Sequence, residues 1–229
     1  MENDVDGSED NASVGTLEGK QLSNSTSHEK DVAKEDTSIK NDDPISTFIT
    51  PFLVSSDERN ETCKMLIEKI KEVLRETKVH VHGSYVQGTA FNTQSLFPSD
   101  LDVDIEIGEI SSDEKLHEIR EYLREERMLS LFKTRILKVK RDRCMICGKT
   151  PHSNALPISC PLVYKDGHGI SKKDRTCLSA VWTMCKLLDT HEELHVVNVV
   201  NPRGVHVFQS RWDLSKKKLN VDFCMGQGK

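Results

Sequence analysis

The sequence predicts a mixed α/β fold, and three observations support this prediction. Segments with apolar residues at helical spacing occur along the chain together with segments in which apolar and polar residues alternate one by one. These two periods are typical of amphipathic helices and of half-buried strands. The alternating segments are also rich in β-branched residues, which favour strands. No internal repeat or heptad array is visible in the sequence, so a solenoid or a coiled coil is not expected.

The predicted elements follow one another from residue 45 onward. The first long helix has Ser55, Ser56 or Asp57 as N-cap candidates, and its apolar residues recur at helical spacing over about five turns. Helices are predicted over residues 55–78, 111–129 and 175–193. Strands are predicted over residues 78–83, 101–107, 132–141, 194–200, 205–210 and 218–225.

Residues 1–44 are predicted to form a disordered tail. The segment is rich in Ser, Asp, Glu, Asn and Lys, has no aromatic residue and shows no apolar period, so it cannot bury enough surface to offset its ordering entropy. Early acidic residues argue against a transit peptide, and no apolar segment of a secretory signal follows the first methionine. No apolar run reaches the length of a membrane span. We therefore expect a soluble protein of the cytoplasm or nucleus without a membrane partner.

The formal net charge of -5 hides an uneven distribution of charge. Much of the negative charge lies in the tail and in a cluster of aspartates near residue 100, whereas basic residues concentrate at 133–143, 171–175 and 215–218. Basic runs of this kind contact phosphates in nucleic-acid-binding proteins. A solvated strand edge or loop is the alternative interpretation of each run.

Asp100, Asp102 and Asp104 occupy alternate positions at the strand predicted over 101–107. Side chains in a strand alternate between faces, so all three carboxylates should emerge on one side, where their mutual repulsion requires a positive charge. Gly83 and Ser84 end the preceding strand; a glycine lets backbone amides approach phosphate oxygens, and a serine hydroxyl adds a donor. Carboxylates and phosphates are the ligands that Mg²⁺ prefers. The arrangement therefore predicts a site for a nucleoside triphosphate and its divalent metals.

The segments GSYVQG, at 83–88, and PSDLDVDI, at 98–105, together resemble the signature of the DNA polymerase beta-like nucleotidyltransferases. The SDLD motif most resembles the terminal uridylyl- and poly(A)-polymerase branch of that superfamily. The resemblance implies a nucleotidyltransferase fold, in which helices back a mixed sheet. It also implies two-metal catalysis with Mg²⁺ or Mn²⁺, in which metals about 3.5 to 4 Å apart stabilise the attacking and leaving oxygens.

The resemblance assigns roles to five residues. Gly83 and Ser84 would contact the triphosphate, and Asp100 and Asp102 would bind both metals. A third carboxylate comes from a neighbouring strand in this family, and Asp222 is the position that we match to it. Asp222 would complete the coordination of one metal ion and assist deprotonation of the attacking 3'-hydroxyl.

About 120 residues separate Asp102 from Asp222, which is more than one strand and one helix require. We therefore expect the nucleotidyltransferase core at 45–142 and 194–229, interrupted by an inserted cysteine-containing subdomain at 143–193. A helical nucleotide-recognition domain usually follows the third carboxylate in this branch. We expect that the insertion or a protein partner supplies that surface, or that the sequence is a truncated form.

The resemblance implies template-independent addition of nucleotides from UTP or ATP to the 3' end of RNA. The residues that would distinguish UTP from ATP lie outside the motif. Two alternatives stay open: a nucleotidyltransferase with a non-RNA acceptor, and a catalytically silent RNA-binding or scaffolding module with the same fold.

The expected insertion contains a second candidate site, for zinc. Cys144 and Cys147 form a C-x2-C turn, and Cys160 with His152, or with His168 as the alternative, could complete a tetrahedral set of four ligands. Buried or free thiols are the other interpretation of these cysteines. Disulfides are not expected, since the chain has an odd number of cysteines, seven, and is expected to be intracellular.

Overall fold

A computed structural model describes residues 44–92, 95–96, 98–136, 144, 146–149, 160–164, 170–200 and 205–226. The tail predicted for residues 1–44 lies outside this part, apart from Pro44, which begins the first helix. Residues Asn41–Lys229 form one compact unit. The mixed α/β class predicted from the sequence is confirmed: a five-stranded mixed sheet is backed by helices.

The predicted elements occur in the predicted order, except near residue 132, and three short helices were not predicted. The helices are α1 (Pro44–Ile49), α2 (Ser56–Val73), α3 (Ser84–Gln87), α4 (Asp113–Arg124), α5 (Glu126–Arg135), α6 (Pro161–Tyr164) and α7 (Lys172–Thr190), and a 3-10 turn (Thr50–Phe52) follows α1. The strands are β1 (Val79–His82), β2 (Leu101–Glu106), β3 (Leu194–Val200), β4 (His206–Leu214) and β5 (Lys217–Gly226).

The strands form one sheet in the order β1-β2-β5-β4-β3. β2 and β5 run parallel, whereas the other three neighbouring pairs are antiparallel. The strand predicted to hold Asp222 is therefore central. β5 pairs with β2 on one side and with β4 on the other.

Side chains of the two central strands alternate between a buried face and a polar face. The buried residues are Leu101, Val103, Ile105, Val221, Phe223 and Met225. They belong to one hydrophobic core with apolar residues of α2, α4 and α7, which is the arrangement that removes the most apolar surface from water. Asp102, Asp104 and Asp222 lie between these positions and are only half-buried or exposed. The helices therefore cover one face of the sheet, and the carboxylates lie on the other.

The three long helices begin at serine caps. Each cap hydroxyl accepts a hydrogen bond from the backbone N–H three residues further along, which satisfies a donor that the helix itself leaves unpaired. The cap residues are Ser55, Ser112 and Ser171, with oxygen-to-nitrogen distances of 3.3, 3.1 and 3.1 Å. Ser55 was one of the three predicted caps of α2, and the 18 residues of this helix make the five turns expected from the sequence.

The prediction of a strand over 132–141 is wrong for its first residues, because α5 continues to Arg135. Met128 and Phe132 are buried one helical turn apart, and this spacing holds the segment in a helix. Extended structure begins only at Ile136, which makes a single parallel bridge to Val196; residues 137–143 lie outside the described part. The helix predicted over 111–129 is also divided, because Glu125 is extended between α4 and α5.

α7 lies inside the segment that the sequence assigns to an insertion. Its buried side chains pack against the sheet and belong to the same hydrophobic core as those of β2 and β5. The boundaries at 45–142, 143–193 and 194–229 remain predictions. In the described residues, no helix is long and apolar enough to cross a membrane.

We predict that Phe223→Ala lowers the free energy of unfolding by about 3–5 kcal/mol. Phe223 is fully buried in the central strand β5, so its removal loses apolar burial and leaves a cavity. Urea unfolding followed by circular dichroism measures the change. The matched control is Val86→Ala on α3, whose side chain is 62% exposed and should change stability by no more than about 0.5 kcal/mol. An equal loss in both variants would contradict the assigned core.

Candidate functional site

The turn between β1 and α3 places Gly83 directly against Asp102. Gly83 has φ 75° and ψ -152°, a backbone conformation that is essentially restricted to glycine. A Cβ atom at this position would lie 2.3 Å from the Asp102 Oδ2 atom. Only a glycine therefore lets the chain turn here while the carboxylate stays in place. The structure brings together the two halves of the motif, Gly83 with Ser84 and the aspartates of β2.

The parallel pairing of β2 with β5 aligns Asp102 with Asp222. These two residues are direct register partners, and both are half-buried on the polar face of the sheet. Asp100 is exposed and immediately precedes β2. His82 is the register partner of Asp102 on the other side, so the turn that begins at Gly83 lies beside the same position. The predicted site residues thus converge at one end of β2.

Two amide side chains link Asp222 on β5 to β4 and β3 through hydrogen bonds. The Gln209 Nε2 atom donates a hydrogen bond to Asp222 Oδ2 at 3.2 Å. Asn198 Nδ2 donates in turn to Gln209 Oε1 at 2.9 Å. This chain orients one oxygen of the carboxylate and leaves the other available. Neither amide was predicted from the sequence, because a polar residue at an alternate strand position indicates a role only once the cross-strand register is known.

The carboxylates are close enough to influence one another electrostatically. Burial raises the pKa of Asp222 above its ordinary value, and the hydrogen bond from Gln209 opposes this shift. The negative charges of Asp100 and Asp102 raise the pKa further. Like charges at short range disfavour each other's ionisation, so a bound cation would stabilise all three carboxylates together.

Asp104 and Cys224 extend the polar face beyond the predicted site. Asp104 is exposed, lies 3.5 Å from His82 Nε2 and is the register partner of Cys224. Cys224 is half-buried on the carboxylate face. Burial raises the pKa of its thiol to about 11, with a further contribution from the charges of the nearby aspartates. The thiol is therefore protonated at neutral pH.

Three of the predicted zinc ligands lie together. The Sγ atoms of Cys144, Cys147 and Cys160 are all within 4.8 Å of one another. The backbone between the first two cysteines turns tightly: Gly148 N–H donates to the Cys144 carbonyl at 2.8 Å, and Cys144 N–H donates to the Lys149 carbonyl at 2.8 Å. Such a cluster of sulfur ligands could hold a metal ion such as zinc. The proposed fourth ligands, His152 and His168, lie outside the described residues.

The thiols of this cluster share their protons unequally. A hydrogen bond from Cys160 lowers the pKa of Cys144 to about 5. The same hydrogen bond raises the pKa of Cys160, and burial raises the pKa of Cys147. Cys144 is therefore the thiol of the cluster that loses its proton most readily, and the thiolate is the form that binds metals.

The cysteine cluster is attached to the core from two directions. Ile146, inside the C-x2-C turn, is fully buried, and its carbonyl oxygen lies 3.1 Å from Nε2 of the buried His206 on β4. On the other side, Cys160 leads into α6, whose Leu162 carbonyl accepts a hydrogen bond from Arg120 Nε at 2.9 Å. A metal bound to these sulfurs would therefore connect two segments that already pack against the sheet and α4.

The two candidate sites differ in their ligand atoms. The cysteine cluster supplies soft sulfur ligands, which suit zinc, whereas the aspartates supply oxygens, which suit Mg²⁺. Among the described residues, only the cysteine cluster brings three potential metal-ligand atoms of His, Cys, Asp or Glu within 4.8 Å of one another. The carboxylates of Asp100, Asp102 and Asp222 do not all lie within this distance of one another.

Comparisons with protein-family models, with curated proteins and with solved structures gave no match. The functional interpretation therefore depends on this chain's own residues. What they provide is a glycine turn against Asp102, a second carboxylate in register on the neighbouring strand and an amide that orients it.

We predict that Gly83→Ala lowers the free energy of unfolding by about 1–3 kcal/mol, because alanine is strained at this φ and its Cβ would collide with Asp102. Gly108→Ala is the control, since a Cβ at Gly108 would meet nothing within 4 Å. Thermal and urea unfolding of both variants measure the difference. A Gly83 variant as stable as the Gly108 variant would show that the close approach is not required.

We predict that the purified chain binds about one zinc ion and that Cys160→Ser abolishes this binding, because a neutral hydroxyl is a poor replacement for a thiolate ligand. Cys63→Ser is the control, since Cys63 is half-buried and is not part of the cluster. Metal content by mass spectrometry and unfolding temperature with and without a chelator are the measurements. Retention of zinc by the Cys160 variant would exclude this cluster as the site.

Proposed function

We propose that this chain is a template-independent nucleotidyltransferase of the DNA polymerase beta-like superfamily, which adds nucleotides from UTP or ATP to the 3' end of RNA. One observation carries the proposal. The parallel register aligns Asp102 with Asp222, while the backbone of Gly83 lies against the Asp102 carboxylate. The glycine turn and two carboxylates from different parts of the sequence therefore converge, as the motif requires.

The donor atoms at this position suit divalent metals. Asp100, Asp102 and Asp222 would hold Mg²⁺ or Mn²⁺, because hard cations prefer carboxylate oxygens and the mutual repulsion of the three groups favours a cation. When bound, such metals neutralise triphosphate charge and stabilise the attacking and leaving oxygens. The hydrogen bond from Gln209 fixes one oxygen of Asp222, so the other can face the metal side.

The chain's own residues would bind and orient the reactants. Backbone at Gly83 and the hydroxyl of Ser84 would contact the triphosphate. Asp222 would assist removal of the proton from the RNA 3'-hydroxyl, whose oxygen forms a bond to the α-phosphorus. The bond between the α-phosphorus and the oxygen that bridges to the β-phosphate breaks, and pyrophosphate leaves with the electron pair.

The position of the site on the sheet supports access for large substrates. Helices cover the opposite face, and the side chains next to the carboxylates, including Asp104 and Asn220, are exposed. An RNA end and a nucleotide can therefore meet on this face without opening the core. In this proposal, the cysteine cluster is a structural zinc site of an inserted subdomain. The chain would act in the cytoplasm or nucleus.

The test is incorporation of each labelled nucleoside triphosphate into single-stranded RNA with Mg²⁺ or Mn²⁺. We predict that Asp100→Asn/Asp102→Asn lowers the rate at least about 1000-fold, because several kcal/mol of charge stabilisation depend on the metals. The control is Asp104→Asn, which removes a carboxylate from the same strand and face and should retain most of the activity.

The outcomes separate the three functional hypotheses. Incorporation that needs Asp100 and Asp102 but not Asp104 supports the proposal, and the preferred nucleotide identifies the reaction. Transfer to a protein or oligonucleotide acceptor, with none to RNA, would show that the acceptor is not RNA. A folded chain that transfers no nucleotide to any acceptor would contradict the enzyme assignment and favour the RNA-binding or scaffolding module.

A further inference from the structure

A cationic turn lies at one end of the sheet. β4 and β5 are joined by a two-residue turn in which Ser215 and Lys216 both have positive φ, 48° and 70°. Hairpin turns of this type normally contain Gly or Asn, so the sequence Ser215-Lys216 is unusual at these positions. Lys216 and Lys218 are exposed, whereas the half-buried Lys217 pairs with Glu58 at 3.2 Å.

The turn lies at the same end of the sheet as the candidate active site. Lys218 and Asp222 are four positions apart on β5 and lie on the same face, since strand side chains alternate. Leu101, the first residue of β2, is the register partner of Val221. The segment from Lys217 to Asn220 therefore extends past the start of β2, toward the end at which Gly83 lies.

A third cation lies between the turn and the carboxylates. Arg211 is exposed on β4 and is the register partner of Asn220, two residues along the strands from the Gln209–Asp222 pair. Within the described residues, Arg211, Lys216 and Lys218 form no ion pair, in contrast to Lys217. Asp213, the register partner of Lys218, is the acidic residue beside them. We call Arg211, Lys216 and Lys218 the cationic row.

The lysines of the turn also border a concave space. A cavity of about 360 Å³ is lined by Lys216 and Lys218 together with Tyr85 and Asn92. Tyr85 directly follows Ser84, so the cavity adjoins the glycine turn of the candidate active site. Both lysines thus border this concave space as well as open solvent.

Because the aspartates make this face negative, a polyanionic substrate needs nearby cations such as those of the cationic row. Asp100, Asp102, Asp104 and Asp222 concentrate negative charge on this face, and the chain as a whole carries a formal charge of -5. An RNA strand that places its 3' end at these carboxylates is repelled by them. Affinity for nucleic acid comes largely from cations that contact phosphates, and the cationic row provides these cations next to the carboxylates.

We propose that the cationic row binds the phosphodiester backbone of a single-stranded RNA acceptor, on the approach of its 3' end to Asp222. This proposal rests on the nucleotidyltransferase function proposed above. Lys216 and Lys218 hold phosphates upstream of the terminal nucleotide, and Arg211 holds the phosphate nearest to Asp222.

The test measures binding of a fluorescein-labelled oligouridylate to the full chain by anisotropy, with no nucleotide present, over a range of KCl concentrations. Lys216→Gln/Lys218→Gln should weaken binding about tenfold at low salt and reduce the slope of log K against log salt by about 1.4, since each contact with a single strand contributes about 0.7. The matched control is Lys172→Gln/Lys173→Gln, which removes the same charge at the start of α7, where Lys172 lies 3.3 Å from Glu109. Binding by this control should stay within about twofold of the original chain.

A gain of binding provides a second measurement that damage to the fold cannot mimic. Asp213→Asn removes the acidic register partner of Lys218 and should tighten binding. Equal weakening by both lysine variants, or no effect of Asp213→Asn, would overturn the proposal. If RNA binds through the row but no nucleotide is incorporated, only the catalytic assignment fails; if RNA is extended equally well without the lysines, only the cationic row fails.

Discussion

The parallel pairing of β2 with β5 is the constraint on which the rest of the structure depends. It aligns Asp102 with Asp222, although these residues lie far apart in the sequence. Parallel neighbours require a crossover connection, and α4, α5 and α7 lie in the chain between the two strands and cover the buried face of the sheet. The apolar residues of the two strands hold the pairing in place, because a shift by one residue would turn every carboxylate into the core.

Local patterns predicted the elements and half of the site. Ser55 was recognisable as a cap, because its hydrogen bond spans three residues. Gly83 and Asp102 were recognisable as parts of one sequence motif. The segment after residue 132 was assigned wrongly because the apolar residues of a short segment fit a helix and a strand almost equally well. Tertiary packing of Phe132 decides between them.

Long-range register determined the remainder. Gln209 and Asn198 have no signal of their own, and their roles follow from the pairing of β3, β4 and β5. The same limit applies to Cys224, whose position on the polar face depends on which face of β5 is buried. In the cysteine cluster, Cys144 and Cys147 are predictable from their spacing, whereas the approach of Cys160 depends on packing of α6 against α4.

The four residues of β1 form one edge of the sheet. An edge strand exposes backbone donors and acceptors that can pair with another molecule, and long, flat, apolar edges promote aggregation. β1 is short, and its outward residues His80 and His82 are polar and exposed. At the opposite edge, the bridge between Ile136 and Val196 occupies part of β3. The short, polar edge at β1 therefore offers neighbouring copies a poor template for intermolecular strand addition.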